Sequence, residues 1–361
     1  MSQNETARRA DALGTQRIFP LLLQYALPAI AMMLISSLYN IVDKAFVGNF
    51  VGQLGITATT VCHPAVRIID AFAMLVGAGG STLLALRLGE GKSDEAETIL
   101  NSSFVLLILE NVVLILLGYL FTEPLLRLFG AGDQVMPYAV TYIRVVLIGA
   151  FFNSTANGFG MFVRVDGSPK RMMVCSVTGC ILNIILDPIA IYVLGWGIAG
   201  AAAATAFSQI VSGLMVIYYF TLSSRSTMKL RLSKMRIHRS TTLKTAELGF
   251  SSFLQQFTGS LSQSVLLSCL ALFATASTAS ADIAQASVGI TVSIGLFFLL
   301  PAIGVSSAIQ PIISYNYGAK NYHRVVDTLK TATIFSVSML TAGWIIILIF
   351  AEPLCKIFGC S

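Results

Sequence analysis

Charged residues are scarce in this 361-residue chain. Asp, Glu, Lys and Arg together make up 11% of the sequence, whereas 55% of the residues are hydrophobic and the mean hydropathy is +0.79. Soluble proteins carry roughly 25% charged residues, so a soluble globular protein is excluded. The apolar segments are unbroken runs rather than stretches of alternating polarity, which also excludes an outer-membrane β-barrel.

Motifs that carry enzyme or metal chemistry are also missing. The six cysteines include no CxxC pair and the three histidines lie far apart, so neither a disulfide framework nor a zinc site is supported. The sequence contains no HExxH, no GxSxG and no ATP-binding GxxxxGK(S/T) motif. We therefore predict that the protein is not an enzyme, has no cofactor and draws its energy from an electrochemical gradient.

Long apolar segments are abundant instead. Nine of them reach the length of about 20 residues that a helix needs to cross a bilayer core of about 30 Å. The sequence therefore predicts an all-α, polytopic membrane helical bundle. The predicted spans are 18–46, 53–87, 97–121, 136–163, 171–194, 197–220, 243–274, 281–314 and 326–350.

Lys and Arg mark one side of this bundle. They cluster at the N-terminus and in every second loop, whereas only Lys44, Arg127 and Lys356 fall on the other side. Short loops rich in Lys and Arg stay in the cytoplasm, so the N-terminus is predicted to be cytoplasmic. The formal net charge of +6 then reflects loops facing anionic lipid, and no basic face with interleaved aromatic residues indicates a nucleic-acid partner.

The chain contains an internal repeat. FTEPLLRLFG at 121–130 recurs as FAEPLCKIFG at 350–359, and Gly89 to Lys92 matches Gly318 to Asn321 at the same offset of 229 residues. Both copies face the same side, which predicts two parallel halves related by an axis along the membrane normal. The first copy continues into three more helices, so we expect this chain to lack about three helices of a twelve-helix plan.

These patterns divide the chain into four parts. The first 17 residues are polar and lack the apolar region of a cleavable signal peptide. We predict a cytoplasmic N-terminal segment at 1–17, a six-helix half at 18–220, a basic cytoplasmic linker at 221–242 and an incomplete three-helix half at 243–361.

The predicted spans of the first half contain four candidate acids and two candidate bases. A charge at the centre of a membrane helix costs about 2.5 to 3.5 kcal/mol on insertion scales, so each is a functional candidate. Arg67 and Asp70 lie three residues apart on one helix and are expected to neutralise each other, and Glu110 and Arg144 are expected to pair between neighbouring spans. The remaining two are Asp43 and Asp187.

A cation site is predicted around Asp187. Asn183 lies four residues earlier on the same helix face, and Pro188 cannot donate a hydrogen bond to the carbonyl of Ile184. Counting helix rise at 1.5 Å per residue puts Thr205 level with Asp187 and Asp43 at a similar depth. Carboxylate, amide and carbonyl oxygens are ligands for hard cations, although Asp43 at a water boundary would instead cap its helix.

Several segments resemble the multidrug and toxic compound extrusion (MATE) transporters, in particular their bacterial and archaeal branch. They are YNIVDKAFVG, VRVDGSPKRMM, LNIILDP and GIAGAAAATAFS. The resemblance implies a secondary transporter that exports organic cations by alternating access while Na⁺ or H⁺ runs inward. It implies a multi-pass protein of the bacterial plasma membrane, and we expect a monomer.

The resemblance also implies roles for individual residues. The family's cation site, where Na⁺ or a proton binds, falls on Asp43, Asn183, Asp187 and Thr205. The family's helix-bending proline falls on Pro28, which is otherwise a tolerated kink. Tyr39, Asn40 and Asn157 are expected in the substrate cleft, where plain packing is the alternative reading.

Two further functions stay open at this point. A lipid-linked oligosaccharide flippase of the same superfamily would need to hold a pyrophosphate, which favours Arg and Lys, whereas acids outnumber bases in these spans. A non-transporting fragment or scaffold follows if the missing helices are essential.

Overall fold

The computed structural model describes residues 12–274 and 280–349, and this part of the chain contains nine long α-helices. Their bounds are α1 Ile18–Phe50, α2 Gln53–Gly89, α3 Ser93–Leu120, α4 Met136–Val165, α5 Pro169–Val193, α6 Gly197–Thr221, α7 Arg239–Ala274, α8 Ser280–Gly318 and α9 Tyr322–Ile349. Among the described residues, α1 to α6 and α9 are long and apolar enough to cross a membrane. The predicted all-α membrane bundle is confirmed.

Most helices extend beyond the predicted apolar runs. α1 ends at Phe50 rather than at residue 46, and α8 ends at Gly318 rather than at residue 314. A short helix, Thr122–Leu128, and a single 3-10 turn, Leu232–Lys234, were not predicted. Backbone hydrogen bonding favours continuing a helix past the hydrocarbon core, so apolarity alone underestimates its length. The second repeat segment, 350–359, lies outside the described residues.

Two helices contain a π-helical turn. In α4 it spans Thr155–Phe159, and in α5 it spans Ile189–Val193, directly after Pro188. The N–H of Leu194 donates to the carbonyl of Ile189 at 2.9 Å, five residues back. Such single turns occur frequently at functional sites because they redirect neighbouring groups.

The ends of the helices separate into two faces. We call the face that holds the start of α1 and the loops 90–92, 166–168, 222–238 and 319–321 the basic end, and the opposite face the outer end. By the positive-inside rule the basic end is expected to be the cytoplasmic one.

Glycines bring the helices of the two halves into backbone contact towards the basic end. A Cβ atom added at Gly79 of α2 would lie 1.9 Å from the carbonyl oxygen of Thr245, and one at Gly249 of α7 would lie 1.9 Å from that of Leu75. The repeat-related pair makes equivalent contacts, Gly89 to Tyr315 and Gly318 to Leu86, at 2.0 and 2.1 Å. Only glycine permits such close helix crossings.

An apolar cluster closes the basic end between α1 and α8. Its buried members from the first half are Leu13, Leu21, Leu22, Tyr25 and Ala26, and those from α8 are Val305, Ala308, Ile312 and Tyr315. Arg164 of α4 donates to the hydroxyl of Ser307 and adds a polar contact between the halves. Together with the glycine crossings, this cluster packs α1 and α2 closely against α7 and α8 towards the basic end.

The segment that joins the two halves is packed against the first half. Asn101 of α3 donates to the carbonyl oxygen of Lys229 at 3.0 Å and accepts from the N–H of Arg231 at 2.8 Å. Glu97 forms ion pairs with Lys234 at 2.6 Å and Arg231 at 3.1 Å. These contacts fix the linker against α3 at the basic end.

Asp166, in the loop between α4 and α5, is buried and also binds the linker. Its carboxylate accepts hydrogen bonds from the hydroxyl of Tyr219 at 2.6 Å, from the N–H of Thr227 at 3.2 Å and from the Thr227 hydroxyl. Burial raises the pKa of Asp166 to about 6, although the hydrogen bonds from Thr227 and Tyr219 act in the opposite direction.

This shift predicts how stability depends on pH. An Asp titrates near 3.9 when unfolded, so the uncharged carboxyl group is favoured in the folded state. The uncharged Asp166 adds up to about 3 kcal/mol to the free energy of unfolding. This contribution is complete below about pH 4 and is lost as the pH rises through about 6. We expect Asp166→Asn to flatten this part of the pH profile of the thermal unfolding midpoint. Asp94→Asn, which alters an exposed acid at the same end, should leave the profile unchanged; identical profiles for both variants would contradict the assignment.

Candidate functional site: a polar cavity within the first half

A cavity of about 290 Å³ lies within the first half. Every described residue that lines it comes from α1, α2, α4, α5 or α6, so these five helices enclose it without the second half. Its lining includes the acids Asp43 and Asp70, the base Arg67 and several amide and hydroxyl side chains. Ionisable side chains inside a membrane helical bundle are candidates for a binding or conduction site.

The four residues of the predicted cation site lie together: Asp43, Asn183 and Thr205 line the cavity, and Asp187 lies behind them. The amide of Asn183 donates to the Asp187 carboxylate and to the Thr205 hydroxyl oxygen, each at 3.3 Å. The Asp43 carboxyl group contacts that of Asp187. Asp43 and the other three residues therefore form one cluster, which we call the carboxylate cluster.

Burial differs within the carboxylate cluster. Asp187 is 0% exposed and does not line the cavity, whereas Asp43 is half-buried and does. Because α1 continues to Phe50, Asp43 is not at a helix end, so the capping alternative does not apply. An ion that enters the cavity would meet Asp43 first and Asp187 behind it.

Three oxygen atoms of this cluster lack a hydrogen-bond donor among the described residues. They are Oδ1 of Asp43, Oδ1 of Asn183 and Oδ2 of Asp187, and each is buried. Unsatisfied buried oxygens cost free energy, and adjacent carboxylates in a low-dielectric site cannot both stay ionised without a compensating cation. The group suits a proton or a hard cation such as Na⁺. In the part of the chain that the structure describes, no group of three His, Cys, Asp or Glu suited to a resident metal is found.

A second acid faces the same cavity. The Asp70 carboxylate accepts hydrogen bonds from the amides of Asn153 at 2.8 Å and Asn157 at 3.5 Å. Arg67 also lines the cavity; it forms no direct ion pair with Asp70 among the described residues, but its positive charge acts on the Asp70 carboxyl group. The two asparagines flank the start of the π-turn in α4, and that turn left no signal in the sequence.

The remaining candidates have different surroundings. Tyr39, Asn40 and Asn157 line the cavity, although the Asn40 amide also donates to the carbonyl of Ser36 on its own helix at 2.6 Å. Pro28 is buried within α1 and does not line the cavity.

The expected pair between Glu110 and Arg144 is not formed among the described residues. Oε1 of Glu110 is buried and has no hydrogen-bond partner there, and the backbone oxygen of Arg144 accepts from Tyr119 at 2.6 Å. Tyr142, His63 and Gln209 also line the cavity, and single residues of these types carry no recognisable pattern in a sequence.

The fold and the cavity define a class: a polytopic helical membrane transporter built from two parallel repeats, with a buried ionisable cluster in the first. The MatE family model matches residues 28–189 and 259–361. The chain therefore belongs to the MatE family, whose members are multidrug transporters rather than enzymes and reside in the membrane as multi-pass proteins.

Known relatives agree with this assignment. The chain is 26% identical over 342 residues to the multidrug export protein MepA of Staphylococcus haemolyticus, and the match covers 92% of this chain and 74% of that protein. It resembles the structure of the MATE multidrug transporter DinF-BH in complex with a ligand, with a TM-score of 0.87, 30% identity and coverage of 96% and 76%. A structure of a MATE family transporter in an outward-facing conformation matches with a TM-score of 0.88, 25% identity and coverage of 99% and 77%.

Proposed function

We propose that this protein is a secondary active transporter that exports amphipathic organic cations in exchange for Na⁺ or H⁺ by alternating access. The observation that carries the proposal is the carboxylate cluster beside the cavity, with its three oxygens that lack donors among the described residues. The coupling cation and a cationic substrate are both attracted by this negative charge. Their competition for it couples the inward movement of the ion to the outward movement of the substrate.

The carboxylate cluster holds the coupling ion. Asn183 fixes one oxygen of Asp187 by its hydrogen bond and leaves the other free. When one proton or Na⁺ binds between Asp43 and Asp187, the negative charge of the pair falls by one, the cavity attracts a cation less strongly and the substrate leaves. One cation that moves inward across 100 mV supplies about 2.3 kcal/mol, which is sufficient to drive export without ATP.

The closed basic end fits one state of this cycle. The glycine crossings and the apolar cluster of α1 and α8 lie between the central cavity and the basic end. Inward opening requires these contacts to separate, and Pro28 gives α1 a position at which the carbonyl of Gln24 receives no helical donor and the helix can bend.

A flippase for lipid-linked oligosaccharides is the less favoured alternative. Its pyrophosphate would need basic groups, whereas Arg67 is the one described Lys or Arg that lines the cavity, against Asp43 and Asp70. We further propose that the transport unit is a monomer, since all residues of the carboxylate cluster come from one chain.

Efflux of ethidium, an amphipathic organic cation, tests the proposed function. Cells that produce the chain should lose preloaded ethidium faster than cells with an empty vector after re-energisation, because the gradient drives export. Removing Na⁺ at constant pH should stop efflux if Na⁺ is the coupling ion and should leave efflux unchanged if H⁺ is the coupling ion. Efflux equal to the vector control, with the chain present in the membrane, would refute transport and support a scaffold.

A further inference from the structure

A second cavity, of about 860 Å³, lies at the basic end and shares no described lining residue with the central cavity. It is formed by the start of α1 with the residues before it, the loop 166–168, the start of α5, the end of α6 and the first residues of the linker. We call it the basic cavity. Nothing in the proposed transport cycle uses it.

The described charges that line the basic cavity are all positive. Lys170, Arg171 and Arg225 line it, and none of the described Asp or Glu residues does. Within the same part of the chain neither Lys170 nor Arg171 forms an ion pair with a carboxylate. The nearby acid Asp166 is buried and accepts from Tyr219 and Thr227 instead. The positive charges of Lys170 and Arg171 therefore favour an anion from outside the chain.

Two apolar stripes lead away from the basic cavity. On α5, Val174, Ile181 and Ile185 are 51%, 49% and 51% exposed, at a spacing that puts them on one helix face. On α6, Tyr218, Leu214 and Phe207 are 57%, 49% and 51% exposed at the same spacing. Val174 and Tyr218 also line the cavity. Each stripe thus begins at the charged cavity and runs towards the middle of the membrane.

We propose that the basic cavity binds the phosphate headgroup of an anionic phospholipid of the cytoplasmic leaflet, with its acyl chains on the two stripes. The depth of the site agrees with this occupant, because the basic end is where anionic lipid and Lys or Arg meet. A cationic substrate would be repelled by the three positive side chains. A free phosphate would use the cavity and leave the stripes without a function.

The lipid would also contact the closure of the basic end. Leu21 and Tyr25 line the basic cavity, and both belong to the apolar cluster that joins α1 to α8. A headgroup and chain seated against these side chains stabilise α1 in its closed position.

Native mass spectrometry of the purified full chain tests this site. The protein is titrated with dioleoylphosphatidylglycerol, with dioleoylphosphatidylcholine and with inorganic phosphate in separate arms. The site variant carries Lys170→Gln, Arg171→Gln and Arg225→Gln. The matched control carries Arg236→Gln, Arg239→Gln and Lys244→Gln, which removes three exposed positive charges from the same end outside the cavity.

We expect wild type and control to retain phosphatidylglycerol, and the site variant to bind it at least about tenfold more weakly, since each Lys or Arg contributes to anionic-lipid binding. A third variant, Lys170→Arg with Arg171→Lys, keeps the charge and should bind as wild type does, which separates charge loss from misfolding. Equal losses in site and control variants, equal binding of phosphatidylcholine, or saturation by inorganic phosphate alone would each overturn the lipid assignment.

Discussion

Asp187→Asn is expected to reduce ion-driven ethidium efflux at least about tenfold, because a charged hydrogen-bonding group is worth about 1.5 to 3 kcal/mol to a bound partner. Asp187 is fully buried, contacts the carboxyl group of Asp43 and offers one oxygen without a described donor. The amide of asparagine keeps the shape of the side chain and removes the charge that we propose to hold the ion.

This variant should lose efflux activity without losing stability. Removing one of two adjacent buried carboxyl groups relieves a desolvation cost, so the thermal unfolding midpoint in detergent should not fall. Efflux rates in re-energised cells and unfolding midpoints of the purified protein measure the two effects.

Asp133→Asn is the matched control for Asp187→Asn. It makes the same chemical change at an acid that is 87% exposed in a loop at the outer end, and it should leave efflux as in wild type. Wild-type efflux by Asp187→Asn would refute the assignment of the carboxylate cluster to ion coupling. A low unfolding midpoint together with lost efflux would instead indicate a structural role for Asp187.

Gly249→Ala is expected to open the closed basic end and to abolish efflux. The added methyl group would lie 1.9 Å from the carbonyl oxygen of Leu75, whereas non-bonded heavy atoms pack best at about 3.5 Å or more. Because the obstacle is backbone, α2 and α7 must move apart. Overpacking of this kind costs about 1 to 3 kcal/mol.

Gly259→Ala on the same helix is the matched control, since a Cβ atom there meets no described atom within 4 Å. Both substitutions gain the same helix propensity, worth up to about 1 kcal/mol. The unfolding midpoint of Gly249→Ala should therefore fall relative to that of Gly259→Ala, and only the former should lose efflux. Equal midpoints and equal efflux in the two variants would show that the glycine crossing does not maintain the closed state.

The fold was predictable to a large extent because its main determinant, the length of each apolar run, acts separately in each segment of the chain. Each apolar run is long enough to span a bilayer by itself, so the nine long helices of the described residues could be located without knowledge of their contacts. Their ends were less predictable, since hydrogen bonding carries α1 and α8 past the apolar residues.

The candidate site was predictable only in part. Asn183 and Asp187 share a helix face, and helix rise brings Thr205 and Asp43 to their level, so counting residues was sufficient to group them. Asp70 interacts with the charge of its sequence neighbour Arg67, as expected, but its hydrogen bonds come from Asn153 and Asn157 of α4, which the sequence did not indicate. A π-turn depends on local packing against α2, where Gly77 and Gly158 meet, and has no signature in composition.

The sequence by itself determined that this chain is a membrane helical bundle with its basic loops on one side, because apolar length and charge act segment by segment in the bilayer. Only the tertiary structure decided which buried polar groups face one another: that Asp43 faces a cavity, that Glu110 does not pair with Arg144 among the described residues, and that Lys170, Arg171 and Arg225 surround a second cavity. The physical reason is that hydrogen bonds and ion pairs act over a few ångströms, so the relative rotation and crossing of the helices decides them.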